Sequence, residues 1–180
     1  MKRVVAEFNA LGFQEVMAGL VDKDDAEEIG LANVFQLDRY SIENYLLDPI
    51  YFYACLLHQN RALDARTAED VEVGRESELR GWDDVELQKI ADVVIEGLQQ
   101  ELQPEPTEAE CEMVEVRYTN GAKIQVPRWL IARRGKTLLG AAERFARPCF
   151  FSTGELATAM QRVGLIPDGL RKTLASAVGM

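Results

Sequence analysis

The chain reads as one α/β domain of 180 residues with an antiparallel addition. Three observations predict that class. A short apolar run, residues 15–21, ends abruptly in Asp22-Lys23-Asp24-Asp25. An Asn120-Gly121 pair joins two alternating segments in mid-chain, and helical periods fill the last third.

Residues 2–11 place Val4, Val5, Phe8 and Leu11 at helical spacing, with Gly12 as a stop. The apolar run 15–21 fits a buried parallel strand that delivers its carboxyl end into a polar loop. Residues 33–37 read as a second short strand. Ser41 can cap a short helix after it, and Pro49 opens another that runs to about His58.

Residues 60–81 are polar and charged without a sustained apolar period, which predicts a mobile connection or a loosely ordered insertion. Residues 82–102 carry Val85, Leu87, Ile90, Val93, Val94, Ile95 and Leu98, an amphipathic helix with an acidic outer face, closed by Pro104 and Pro106. The expectation is an appended helix within an insertion spanning about 60–110.

Residues 112–118 alternate, and residues 123–126 return after a turn whose Asn120-Gly121 favours a type I′ hairpin. Pro127 opens a short helix through Ile131, Gly135-Lys136 begins another through about Phe145, and two more are expected near 153–163 and 167–177.

Hydrophobic residues make up 47% and charged residues 28%, enough apolar side chain for one substantial core. No run approaches the roughly 18 apolar residues of a spanning helix, so a soluble, cytoplasmic chain without a membrane partner is expected. Cys55, Cys111 and Cys149 lack zinc-site spacing and read as reduced structural thiols. His58, the single histidine, has no ligand at metal spacing and reads as structural or surface.

A net charge of −10 argues at first against a nucleic-acid partner. The charge is segregated, however. Residues 64–116 hold 17 acidic and 4 basic side chains, whereas residues 117–147 hold eight basic side chains against Glu143 alone. The basic block is either a solvated face or a surface for DNA or RNA.

Asp22 and Asp24 are the sharpest chemical feature. Residues two apart in an extended segment project to one side and can share a cation such as Mg²⁺. Open α/β sheets bind ligands outside the carboxyl ends of their strands, where this pair lies. The same spacing also suits an acidic turn or a helix cap. Glu43, early in the helix after the second strand, faces the same sheet edge or simply favours the helix dipole. Tyr40, Tyr45 and Trp129 read as packing residues.

The segment Gly19-Leu20-Val21-Asp22-Lys23-Asp24, followed by residues 37–47 with Ile42-Glu43-Asn44-Tyr45, resembles the TOPRIM-like domains of OLD-family nucleases and their relatives. Gly135-Lys136-Thr137-Leu138-Leu139 and Ile166-Pro167-Asp168-Gly169-Leu170 resemble later segments of that group, so the likeness covers most of the chain apart from 60–110. It implies a TOPRIM/Rossmann-like small sheet with flanking helices, a β-hairpin and a helical insertion. It also implies Mg²⁺ or Mn²⁺ held by Asp22, Asp24 and Glu43 for phosphodiester cleavage, with Lys136 near the scissile phosphate. Lys136 is otherwise an ordinary exposed lysine. An ABC-type ATPase domain or subunit is the implied partner, in phage defence, and a homo-oligomer is compatible with the family.

The chain departs from the family at its start. A complete TOPRIM domain opens on a strand bearing a glutamate, but only about twenty residues precede Asp22 here, and Glu7 sits on the expected helix 2–11. The expectation is an N-terminally incomplete domain with weak nuclease activity or none by itself. A phosphate-loop motif for ATP is lacking. Two other readings stand beside the nuclease: a non-catalytic module that docks an ATPase partner, and a phosphatase or phosphotransferase with Asp22 as nucleophile.

Overall fold

The computed structural model describes residues 19–23, 34–59, 63, 71 and 73–178. The expected helix 2–11 with Glu7, the start of the first strand, and Asp24 lie outside them. The fold is a mixture of helices and small sheets, as the sequence predicts.

Strand β1 (Gly19–Val21) pairs in parallel with β2 (Val34–Gln36), Leu20 opposite Phe35. Helix α1 (Ile42–Leu46) follows, then α2 (Pro49–His58). A 3₁₀ turn, Glu76–Gly81, precedes α3 (Asp84–Glu101), and a second, Ala109–Cys111, leads into the hairpin β3 (Met113–Arg117) and β4 (Lys123–Pro127). Helices α4 (Arg128–Ala132), α5 (Gly135–Ala146), α6 (Thr153–Val163) and α7 (Asp168–Val178) complete the order.

Helix α2 is the centre of the core. Residues 49–56 are buried on every side, consistent with a sequence that is apolar all round rather than striped. It packs between α3 and α6, and α3 packs in turn on α5 and β4. Phe52 joins these layers, with ring centroids 5.9 Å from Phe145 and 5.3 Å, edge-on, from Phe151. Trp129 and Tyr45 are fully buried and Tyr40 half-buried, in keeping with packing roles.

Three expectations are corrected. Helix α3 is not an appendage: Leu87, Ile90, Ala91, Val94 and Leu98 are core residues, and only the opposite, acidic face meets solvent. Of the polar stretch 60–81, residues 60–62, 64–70 and 72 lie outside the described residues, and the expectation is corrected only for the rest: the isolated Leu63, Val71 and Leu79 each reach the same core, and the 3₁₀ turn packs on α6. Single apolar anchors leave no period to read. The hairpin forms at the expected place, but its turn is not type I′. Gly121 N–H donates to Tyr118 O, so Thr119 and Asn120 form the centre, and Gly121, at φ +90°, follows it. Asn120 fixes this choice: its Oδ1 accepts from Ala122 N and its Nδ2 donates to Arg80 O.

No helix among the described residues is long and apolar enough to cross a membrane. All three cysteines are free thiols, with Cys55 buried and pushed up in pKa by that burial. His58 is half-exposed, its Nδ1 3.5 Å from Glu76 Oε1.

Candidate functional site

The chain leaving β1 is laced to two others by backbone bonds. Leu37 N donates to Val21 O at 3.0 Å, Lys23 N to Tyr40 O at 2.9 Å, and Tyr40 N to Ile131 O at 2.9 Å. The carboxyl ends of β1 and β2 and the end of α4 therefore meet along one edge. Asp22 stands exposed at that edge, and its carboxylate takes part in no hydrogen bond or ion pair among the described residues.

Glu43 is brought to the start of α5 by its neighbour. Asn44 is fully buried and uses its whole amide. Its Oδ1 accepts from Ser41 N at 3.0 Å and Ser41 Oγ at 2.8 Å, while Nδ2 donates to Leu130 O and Arg133 O, both at 2.9 Å. That clamp draws the loop between α4 and α5 onto α1. The approach is so close that a Cβ on Gly135 would lie 2.4 Å from Ser41 Oγ, 2.7 Å from Glu43 Cβ and 3.0 Å from Glu43 Oε2.

Glycine at 135 is thus required by space. Gly135→Ala is expected to cost about 1–3 kcal/mol, the usual penalty of overpacking, read as a lower midpoint in urea unfolding. An unchanged midpoint would mean that Ser41 and Glu43 yield freely.

Lys136 follows directly, exposed, at the amino end of a helix whose dipole favours anions. The structure therefore puts Glu43 against the helix start that carries Lys136, with Asp22 on an adjoining segment. Asp24 lies outside the described residues. Among those described, no group of three or more acidic, histidine or cysteine side chains is placed to hold a metal ion.

The basic segment is only partly available. Arg117 pairs with Glu115 at 2.8 Å, Arg128 with Glu112 at 2.7 Å, and Arg144 with Glu101 at 3.3 Å. Arg133 grips Glu110 with two bonds, 2.6 and 2.9 Å, and donates also to Pro104 O and Glu105 O. The Arg133 guanidinium holds Glu110 down to about 2. Among the described residues, Lys123, Arg134, Lys136 and Arg147 form no ion pair with a carboxylate, and the last three are exposed. Two of these three flank Gly135, so uncompensated positive charge gathers beside Glu43.

Behind the site lies a buried ionic network that the sequence did not announce. Asp48, fully buried, accepts from Tyr118 Oη at 2.7 Å and Ile50 N at 3.2 Å. Arg39 Nη2 stands 3.6 Å from Asp48 Oδ2, an ion pair longer than a hydrogen bond. Arg39 Nη1 donates to Asn44 O at 2.8 Å, and its guanidinium lies 4.6 Å from the Tyr45 ring centroid. Burial raises the Asp48 carboxyl above its ordinary range, and the Arg39 charge only partly opposes this. Burial and the Asp48 charge likewise push the Tyr118 and Tyr51 phenols up.

In sequence Asp48 reads only as the residue before a helix-opening proline, and Asn44 only as one letter of a motif. Their roles depend on Tyr118, Leu130 and Arg133, which lie far along the chain.

No protein-family model, curated protein or solved structure matches this chain.

Proposed function

We propose that the chain is a TOPRIM-like, metal-dependent nuclease module that cleaves nucleic-acid phosphodiesters together with an ABC-type ATPase domain or subunit, in phage defence. The observation that carries this reading is the contact of Glu43 with Gly135 at the start of α5, beside Lys136. An uncommitted carboxylate adjoins uncompensated cations there, which suits a metal on one side and a phosphate on the other. The parallel β1–β2 pair with Asp22 at its carboxyl end supports the finer TOPRIM/Rossmann-like sheet.

The donor chemistry fits Mg²⁺ or Mn²⁺. Both ions take hard carboxylate oxygens, and the Asp22 and Glu43 side chains are not consumed by hydrogen bonds or ion pairs among the described residues. Asp22, Asp24 and Glu43 are the proposed ligands. When bound, the ion lowers the pKa of water and neutralises charge on the phosphate. Lys136 and Arg134 hold the phosphate oxygens at the helix start.

Titration calorimetry with Mn²⁺ tests the ligand set. Asp22→Ala/Asp24→Ala is expected to abolish binding, Glu43→Gln to weaken it, and both to suppress cleavage of plasmid DNA or RNA. Binding that survives the double substitution would sink the reading. The second reading, a non-catalytic docking module, draws on the exposed acidic face of α3. It expects a complex with the ATPase that persists in both variants and no cleavage by the wild type.

A further inference from the structure

One segment of the chain, residues 101–112, supplies the acid for three separate arginines. Glu101 meets Arg144, Glu110 meets Arg133, and Glu112 meets Arg128. The three guanidiniums belong to the strongly basic stretch that α4, α5 and the loop between them carry, next to the exposed Arg134 and Lys136.

We infer that residues 101–112 cover a nucleic-acid-binding face formed by Arg128, Arg133 and Arg144, and that a phosphate backbone competes with Glu101, Glu110 and Glu112 for these guanidiniums. The inference rests on the reading of the substrate as nucleic acid. It adds how access to that substrate is controlled.

Three physical points support it. First, Glu110 holds Arg133 in the two-bond fork that a guanidinium also makes to phosphate, so a phosphate can take the place of that carboxylate while the bonds to Pro104 O and Glu105 O keep the guanidinium oriented. Second, the outer pairs are weak. Arg128 and Glu112 are 52% and 61% exposed, Arg144 and Glu101 40% and 39%. Pairs this wet contribute about 0–1 kcal/mol each, which a polyanion releasing counterions exceeds. Third, uncovering Arg133 leaves the proposed cleavage edge standing. Its carbonyl oxygen stays bonded to Asn44, so only the side chain changes partner.

The cover also accounts for a contradiction in the charge pattern. A chain of net charge −10 would repel nucleic acid. Its basic block is nevertheless confined to one stretch, and the neighbouring acids neutralise part of that block in place. Of the charge left open, Arg134 and Lys136 lie at the proposed cleavage edge, where a phosphate would first be captured.

The test is fluorescence anisotropy with a short fluorescein-labelled DNA duplex, in EDTA so that binding is read apart from cleavage. Glu110→Gln/Glu112→Gln is compared with Asp92→Asn/Glu96→Gln, which changes net charge equally at two exposed acids of α3 that pair with no arginine among the described residues. The first pair is expected to bind about tenfold more tightly than the wild type, because it releases Arg128 from an exposed pair and Arg133 from a largely buried one. Its salt dependence should steepen by about two in the log–log slope. The control pair should stay within about twofold.

Equal gains in both pairs, or no gain in either, would overturn the cover. Glu112→Gln alone, at an exposed pair, keeps the test open if the double variant folds poorly, with about threefold expected. A chain that cleaves DNA but shows no differential gain refutes the cover and leaves the nuclease reading intact. A differential gain without cleavage does the reverse.

Discussion

Asp48→Ala is expected to lower the stability of the fold by about 3–5 kcal/mol, the cost of breaking a buried ion pair by removing one partner. The side chain is fully buried and has three partners: the Tyr118 hydroxyl, the Ile50 amide and the Arg39 guanidinium. Alanine leaves the Tyr118 and Ile50 donors without their acceptor. It also leaves Arg39, only 5% exposed, as a buried charge with no counter-ion. Unfolding in urea, followed by tryptophan fluorescence, measures the loss.

Removing both charges separates the two sources of that cost. Arg39→Met/Asp48→Leu should recover most of the stability, because the pair's attraction is largely offset by its desolvation. A single alanine variant within 1 kcal/mol of the wild type would refute the account.

The pH dependence has a definite sign. Burial raises the folded pKa of Asp48 above the unfolded value of 3.8, so its contribution is complete below that value and is lost as pH rises through the folded pKa. The advantage of the wild type over Asp48→Asn should therefore shrink as pH rises.

What the sequence disclosed and what it withheld divide along contact range. Helix α6 was legible because its limits are local: Ser152 accepts from Glu155 N, Glu155 reaches back to Ser152 N, and Gly164 closes the far end at φ +68°. The hairpin was legible from alternation, yet its turn type was not, since Asn120 also answers to Arg80, forty residues away. Helix α3 was legible as a helix but not in its place. An acidic outer stripe reads the same on an appendage as on a helix whose other face is core.

The candidate site divides in the same way. Asp22, Glu43 and Lys136 could be singled out from residue type and motif. The vacancy at Gly135 that lets Glu43 approach α5 could not, because glycine at a helix start is unremarkable in sequence. The pairing of the basic segment was also hidden. Charge segregation is visible along the chain, but that Glu101, Glu110 and Glu112 fold back onto Arg144, Arg133 and Arg128 is a tertiary fact.

Asn44→Ala is the second large expected loss, about 3 kcal/mol or more, since each buried polar group stranded without a partner costs about 1–3 kcal/mol. The variant deprives the Ser41 amide and hydroxyl of their shared acceptor, and the Leu130 and Arg133 carbonyls of a common donor. Asn44→Asp discriminates between loss of volume and loss of donors. It preserves the acceptor toward Ser41 but turns a carboxylate toward two carbonyl oxygens, so it should be at least as damaging at neutral pH. Part of that loss should return on acidification, when the protonated acid can donate to one of them. The same clamp holds Gly135 and Lys136 against Glu43, so Mn²⁺ affinity should fall in Asn44→Ala even where the protein is still folded. A variant as stable as the wild type, or one with undiminished Mn²⁺ binding, would show that the α4–α5 loop is held against α1 by packing alone.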